Sequence, residues 1–202
     1  MVFDVTQVKG FLDPAEGERL QDLAQQASRT AACLEVGSYC GKSTVYLGKG
    51  CAANNGILYA VDHHRGSEEH QRGEEYYDAE LFDQQLQVVD SFREFRKTIR
   101  AASLENLVVP IVATSQVAGR GWANPLALVF IDGGHSEEAA FTDLNTWSQH
   151  IIVGGYLAIH DIFPDPEEGG QAPYNIYKAA LASGEYEVCE TTKTLGVLRK
   201  VA

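Results

Sequence analysis

Short apolar segments alternate with amphipathic helical segments along most of the chain. The predicted strands are Ala32–Val36, residues 57–61, residues 107–113, Leu126–Ile131 and residues 155–160. Five strand–helix units in series predict an α/β fold with a doubly wound, mainly parallel sheet and helices on both of its faces. Leu126–Ile131 is apolar throughout, which is typical of a strand buried on both faces of such a sheet.

The two ends of the chain carry recognisable signals. Residues 13–16, with the sequence DPAE, predict the start of a helix over residues 14–28, because they supply a cap, a proline at the first position and a capping-box glutamate. Near the other end, residues 186–191 and 195–199 are two predicted strands separated by a short polar turn. This spacing predicts an antiparallel hairpin.

The middle of the chain contains an acidic insert, residues 63–80, after the second predicted strand. Apolar residues at helical spacing predict a long helix over residues 81–102 after it. Pro110 lies in the third predicted strand; since proline cannot donate to a ladder, that strand is expected at a sheet edge. At 202 residues, we expect one domain over residues 1–202, with residues 1–30 as an N-terminal helical segment.

The charge balance excludes two classes of partner. The chain has 28 acidic and 16 basic side chains and a formal net charge of −12, whereas nucleic acids and anionic membranes select basic surfaces. The longest apolar run has six residues, far short of the ~20 that a membrane helix needs. The N-terminus lacks the pattern of a signal peptide and the four cysteines include no C-x-x-C pair. These features predict a cytoplasmic protein with reduced thiols.

A glycine-bearing turn follows the first predicted strand, at the edge where doubly wound sheets bind ligands. Its sequence is EVGSYCGKST over residues 35–44, and such a turn into a helix favours a carboxylate or a phosphate. A P-loop requires G-x-x-x-x-G-K-[ST], but Gly37 precedes Gly41 by a spacing that is one residue too short. The G-x-G-x-x-G triplet of dinucleotide-binding folds is absent. An NTPase with an altered P-loop is therefore the second candidate.

Four motifs occur in order at predicted strand ends: E-x-G-x-x-x-G-x-S at residues 35–43, Asp62, IDGGH at 131–135 and GGYLAIHD at 154–161. In this arrangement the chain resembles class I S-adenosylmethionine-dependent methyltransferases. Its closest resemblance is to the small O-methyltransferases that act on antibiotic and macrolide sugars and related small molecules. The resemblance implies a seven-stranded, Rossmann-like sheet with a C-terminal antiparallel hairpin, S-adenosylmethionine as cofactor and a small hydroxylated molecule as substrate.

The cofactor is an amino acid joined to adenosine, and each of its parts has a predicted partner. The amides of the glycine loop suit its carboxylate, Glu35 suits its ammonium group, and Asp62, which follows Gly41 by 21 residues, suits its ribose. Ser115 occupies the adenine side, where many relatives carry an acid. The predicted cofactor-binding residues are Glu35, Gly37, Ser38, Gly41, Ser43, Thr44, Asp62, His63, Ser115 and Asp132.

The predicted reacting centre lies at the ends of the fourth and fifth strands. Catechol-type relatives bind a divalent metal through residues that correspond to Asp132, His160 and Asp161. His160 departs from the family, which usually offers oxygen there, so the use of a metal, and the choice between magnesium and a transition metal, stay open. The alternative is a hydrogen-bonded pair of His160 and Asp161 without metal. His135 is the predicted general base, with Asp132 as the second catalytic residue.

The acidic insert is expected to form a substrate lid or a contact between two copies of the chain, because long polar inserts at strand ends often carry function. The expected partners are thus a small-molecule substrate and a second subunit in a homodimer, with no nucleic acid and no membrane. A third functional class is a methyltransferase-like protein that binds the cofactor without catalysis. His160 in place of an oxygen ligand keeps this class open.

Overall fold

Strands in the described part of the chain form two sheets, one of seven strands and one of two. The structure is a computed structural model that describes residues 3–67, 70–74 and 76–202. The strands are β1 (Ala32–Val36), β2 (Leu58–Val61), β3 (Phe82–Asp83), β4 (Val88–Val89), β5 (Val108–Ile111), β6 (Leu126–Ile131), β7 (Ile151–Ile159), β8 (Tyr186–Val188) and β9 (Gly196–Lys200).

The large sheet has the strand order β5-β2-β1-β6-β7-β9-β8. The first five strands in this order are parallel, while β9 pairs antiparallel with both β7 and β8. The predicted parallel sheet and closing hairpin are therefore confirmed. Strand β5 lies at the edge, and its Pro110 is in register with Ala60, as expected for a residue that cannot donate to a ladder.

Helices cover both faces of this sheet and bury two apolar layers. The helices are α1 (Pro14–Ala27), α2 (Lys42–Ala52), α3 (Phe92–Ala101), α4 (Ser115–Ala118), α5 (Glu137–Trp147) and α6 (Ala172–Ala182). Leu20, Leu47 and Phe95 pack with the sheet on the face covered by α1, α2 and α3. Leu144 and Ile176 of α5 and α6 pack on the opposite face, so the sheet is doubly wound as predicted.

The predicted N-terminal helix is confirmed as α1. The Asp13 side chain accepts a hydrogen bond from the amide of Ala15, and Glu16 completes the capping box. Position 16 is nonetheless buried, with only 3 % of its surface exposed. A capping glutamate needs no burial to do this work, so the carboxylate of Glu16 must have further partners.

The long helix predicted over residues 81–102 is wrong in its first half. Residues 82–89 form the antiparallel pair β3–β4, and helix α3 begins only at Phe92. The Asp83 carboxylate accepts hydrogen bonds from the amides of Gln85 and Leu86, and this local turn competes with helical hydrogen bonding. Leu86, which the helical spacing would bury, is 69 % exposed.

The acidic insert is described except for Glu68, Glu69 and Glu75, and predictions that involve these three residues lie outside the described residues. Its Asp78 and Glu80 both bind the ammonium group of Lys9. The insert is therefore tied to the N-terminal segment. Among the described residues, no helix combines the length and the apolar character that a membrane crossing requires.

Candidate active site

A cleft of about 560 Å³ opens at the carboxyl ends of the parallel strands, within the range of small-molecule sites. Its wall comes from the loops after β1, β2, β5, β6 and β7 together with the segment before α1. The predicted site residues that line it are Gly37, Ser38, Ser43, Asp62, His63, Ser115, Asp132, His135, His160 and Asp161. Glu35, Gly41 and Thr44 lie outside this lining.

The loop between β1 and α2 presents polar groups to the cleft. Gly37 has φ +86° and Gly41, the N-cap of α2, has φ +92°, a backbone region that glycine occupies without strain. No side chain caps the first turn of α2. Ser38 is 1 % exposed, and its hydroxyl has no hydrogen-bond partner among the described residues. A buried hydroxyl beside an uncapped helix start is suited to an anionic ligand.

Glu35 lies beneath this loop and has no exposed surface. Its two carboxyl oxygens accept hydrogen bonds of 2.5 Å from the hydroxyls of Ser43 and Thr44. Burial raises the pKa of Glu35 to about 8, against the hydrogen bonds of both hydroxyls. The geometry thus makes Glu35 an anchor for the start of α2. Its predicted contact with the cofactor ammonium group stays a prediction.

The raised pKa of Glu35 leads to a test of stability against pH. The folded state holds this proton more tightly than the unfolded chain, so the contribution of Glu35 to the unfolding free energy falls as pH rises from about 4.5 to about 8. We expect Glu35→Gln to remove this decline, which reaches at most about 1.4 kcal/mol per pH unit. Urea unfolding at pH 5, 6, 7 and 8 measures it. The exposed Glu105→Gln serves as control, and parallel pH profiles for wild type and Glu35→Gln would contradict the assignment.

Asp62 ends β2 and holds two loops in place. One carboxylate oxygen accepts a hydrogen bond of 2.8 Å from the amide of Tyr39, and the other accepts one of 2.6 Å from the amide of His64. A carboxylate has about four acceptor positions, so Asp62 retains capacity for a ligand in the cleft that it lines. His63 is exposed beside it, and its Nδ1 accepts a hydrogen bond from the amide of Arg65.

The wall around Ser115 contains a carboxylate that sequence reasoning missed. The Ser115 hydroxyl accepts a hydrogen bond of 2.9 Å from the indole of Trp147, and it also bonds to Asp143. Burial raises the pKa of Asp143 to about 6. The signal for Asp143 was a single charge on the inward face of α5, between Ala140 and Trp147, where an apolar residue is usual. The structure thus supplies the acid that the sequence around Ser115 lacks.

Three ligand-type side chains meet at the ends of β6 and β7. Ligand atoms of Asp132, His135 and Asp161 all lie within 4.8 Å of one another. The His135 Nε2 is 3.4 Å from one oxygen of Asp161. Sequence reasoning placed all three residues at this centre, but it made His135 the base and put His160 among the metal ligands.

His160 lies between Glu16 and the two aspartates of this centre. Its Nε2 is 3.0 Å from Glu16, and its Nδ1 is 3.2 Å from Asp132 and 3.3 Å from Asp161. Burial lowers the pKa of His160, but the charge of Asp132 and hydrogen bonds to the surrounding carboxylates raise it well above its ordinary value. Both ring nitrogens therefore face carboxylates. The cluster makes His135 a further candidate ligand beside Asp132 and Asp161, and the predicted set with His160 stays a prediction.

The mouth of the cleft carries a group of aromatic rings. Phe11, which is 67 % exposed, lies 5.0 Å from Tyr76 and 6.5 Å from Tyr39 between ring centroids. His70 of the insert lies 5.1 Å from Tyr39. The N-terminal segment and the insert thus form one rim, and the predicted lid or subunit contact of the insert stays a prediction.

Comparison with known proteins places this cleft in context. A family model described as a methyltransferase domain matches residues 34–162, more than half of the chain. This match runs from within β1 to just beyond β7, and it includes the glycine loop and the carboxylates at the ends of β2, β6 and β7. The N-terminal helix and the closing hairpin lie outside the matched residues.

Solved structures with the same fold include several methyltransferases. An O-methyltransferase from Bacillus cereus in complex with SAH has a TM-score of 0.66 and 16 % identity, over 95 % of this chain and 83 % of that one. The O-methyltransferase NovP has a TM-score of 0.70 and 15 % identity, over 93 % of this chain and 80 % of that one. The O-methyltransferase TomG from Streptomyces achromogenes, in complex with SAM, has a TM-score of 0.65 and 13 % identity, over 95 % of this chain and 82 % of that one. At these identities the likeness shows a shared fold.

Proposed function

The chain belongs to the methyltransferase-domain family, and from this premise we propose that it transfers a methyl group from S-adenosylmethionine to a hydroxyl of a small molecule. The observation that carries the proposal is the cleft itself. It brings together the start of α2, the Ser38 hydroxyl, which has no partner in the described part of the chain, and the cluster of Asp132, His135 and Asp161. The O-methyltransferases that share the fold, two of them bound to SAH or SAM, support the choice of reaction.

The described residues fit the parts of S-adenosylmethionine. The start of α2 and the Ser38 hydroxyl offer donors to a carboxylate. Asp62 offers acceptor positions to the ribose hydroxyls, and the pair of Ser115 and Asp143 offers polar groups at the far wall. Each contact uses a group that faces the cleft and retains hydrogen-bonding capacity.

The proposed reacting centre fits a divalent cation. Two carboxylates and one imidazole are a donor set that transition metals accept and that Mg²⁺ accepts less readily. A bound cation would lower the pKa of the acceptor hydroxyl. Asp132, Asp161 and His135 would hold the cation. Without a cation, His135 would take the hydroxyl proton as a general base.

The chain's own residues supply position and proton acceptance. The hydroxyl gives up its proton at the reacting centre, and its oxygen attacks the methyl carbon as the bond from that carbon to the sulfonium sulfur breaks. The electron pair of the broken bond would stay on sulfur, which becomes an uncharged thioether sulfur. Holding oxygen, carbon and sulfur in line is the main source of rate in such a displacement. The rim of Phe11, Tyr39 and Tyr76 is the proposed entrance for the acceptor. The predicted homodimer and cytoplasmic location stay predictions.

Calorimetry tests the function at its first step. We expect S-adenosylhomocysteine to bind the full chain with a dissociation constant in the micromolar range and ATP to bind at least 100-fold more weakly. Tighter binding of ATP would replace the proposal with an NTPase. Binding of S-adenosylhomocysteine without methyl transfer to any member of a broad hydroxyl panel would favour a non-catalytic role.

The variant Asp62→Ala sharpens the test at the ribose position. It should weaken S-adenosylhomocysteine binding roughly 10- to 100-fold, because a hydrogen bond to a charged group contributes about 1.5–3 kcal/mol. The loss of the anchor for Tyr39 and His64 adds to this effect. The control is Asp22→Ala, an exposed aspartate on α1. Equal affinities for the two variants would remove Asp62 from the site.

A further inference from the structure

Glu16 is a buried carboxylate that connects the N-terminal helix to the reacting centre. One of its oxygens accepts hydrogen bonds of 2.9 Å and 2.8 Å from the amide and the hydroxyl of Thr194. The other lies 3.0 Å from Nε2 of His160. Since only 3 % of Glu16 is exposed, its charge must be compensated by these partners.

The ring of His160 has little freedom in this arrangement. It is 6 % exposed, and the ring of Phe130 packs edge-on against it with 6.3 Å between the ring centroids. The amide two residues later, that of Ile162, donates a hydrogen bond of 2.9 Å to the carbonyl of Thr194. Glu16, Thr194 and the end of β7 therefore enclose the Nε2 side of the ring.

The opposite side of the ring faces the reacting centre. Nδ1 of His160 lies 3.2 Å from Oδ1 of Asp132 and 3.3 Å from Oδ1 of Asp161. The second oxygen of Asp161 faces His135. Asp161 also has φ +56°, a conformation that costs a non-glycine residue free energy and persists when the surroundings hold it. The orientation of both carboxylates thus depends on where His160 points Nδ1.

We propose that Glu16 is a positioning residue of the reacting centre: it holds the His160 ring so that Nδ1 fixes Asp132 and Asp161 for the cation and the acceptor hydroxyl. The inference rests on the proposed function, and it assigns to the N-terminal helix a part in catalysis. Partners that orient ligand side chains in this way change metal affinity or activity by about 10- to 100-fold when they are removed.

The main variant is Glu16→Met, which keeps length and helix propensity but replaces the carboxylate by an uncharged thioether, a weak hydrogen-bond acceptor. Glu16→Gln is the conservative variant, because its amide can donate to Nε2 of a neutral His160 while its oxygen accepts from Thr194. Glu16→Asp keeps charge and cap but draws the carboxylate back by one methylene, so the test does not depend on Glu16→Met folding. Glu18→Met, exposed on the same helix, and Thr194→Val are controls.

Two measurements on the full chain test the proposal. The first is the slowly exchanging Nδ1 proton of His160 in spectra of ¹⁵N-histidine-labelled protein, assigned by its loss in His160→Asn. The second is Mn²⁺ affinity by calorimetry. We expect Glu16→Met to lose the proton signal and to bind Mn²⁺ 10- to 100-fold more weakly. Glu16→Asp should show a smaller loss of both, Glu16→Gln should restore both, and Glu18→Met should match wild type.

A purely structural role predicts a different pattern. Thr194→Val and Glu16→Met would then lower the melting temperature alike while the signal and the Mn²⁺ affinity stayed at wild-type values, and this result would overturn the proposal. If no form of the protein bound Mn²⁺ but Glu16→Met and Glu16→Asp lost the proton signal, the metal part of the proposed function would fall. The positioning of His160 by Glu16 would be supported.

Discussion

Gly37→Ala is expected to abolish detectable binding of S-adenosylhomocysteine and to lower the unfolding free energy by more than about 4 kcal/mol. Such a loss is exceptional for a single substitution. A Cβ at this position would lie 1.9 Å from the carbonyl oxygen of Asp132 and 2.9 Å from the amide of Gly133. Both neighbours are backbone atoms, so relief requires that the loops after β1 and β6 move apart. Those loops carry Ser38 and Asp132, which both line the cleft.

Gly154→Ala provides a matched control. Gly154 has the same φ of +86°, but a Cβ there has no neighbour within 4 Å. Its substitution carries only the cost of the left-handed conformation, about 1–2 kcal/mol, and leaves the cleft untouched. The difference between the two variants in urea unfolding isolates the steric clash. Losses of equal size, with cofactor affinity retained in Gly37→Ala, would show that the loops can separate freely.

The strands of the parallel sheet and the cleft at their carboxyl ends could be predicted, because the pattern of apolar residues indicates which positions are buried. Leu126–Ile131 is buried at every position, and the polar residues that follow strands do line one cleft, as Asp62 and Asp132 show. Pro110 located the edge strand through the chemistry of its missing donor. These features depend on local sequence and on general rules for parallel sheets.

The errors arose where local and distant interactions compete. The helical spacing over residues 81–102 does not report the hydrogen bonds that the Asp83 carboxylate accepts, which close a turn before β4. His160 was assigned as a ligand because its sequence position matches a family ligand. That assignment stays a prediction, but the structure adds a partner of His160, Glu16, that is 144 residues away. No local pattern reports such a contact, and the burial of Glu16 becomes visible only when α1 is packed on the sheet.

Asp132→Asn is expected to reduce methyl transfer by about 10³-fold or more, while the affinity for S-adenosylhomocysteine changes less than 10-fold. Asp132 lies with His135 and Asp161 at the centre where a cation or a base must act, and loss of proton transfer alone costs about 10²–10⁴ in rate. Rates are measured with an acceptor from a small hydroxyl panel that wild type methylates. Mn²⁺ affinity, which needs no acceptor, should fall at least 100-fold.

The substitution separates charge from position at this residue. Asparagine keeps an oxygen that can accept the hydrogen bond from Nδ1 of His160, so the fold and the ring orientation should persist and the melting temperature should change by only a few degrees. Asp165→Asn, on the exposed loop after β7, is the control. A rate within tenfold of wild type would show that the negative charge of Asp132 is dispensable. A large loss with the His160 Nδ1 proton still observed would show that orientation alone is insufficient, because the carboxylate must also be charged to hold a cation beside the acceptor oxygen.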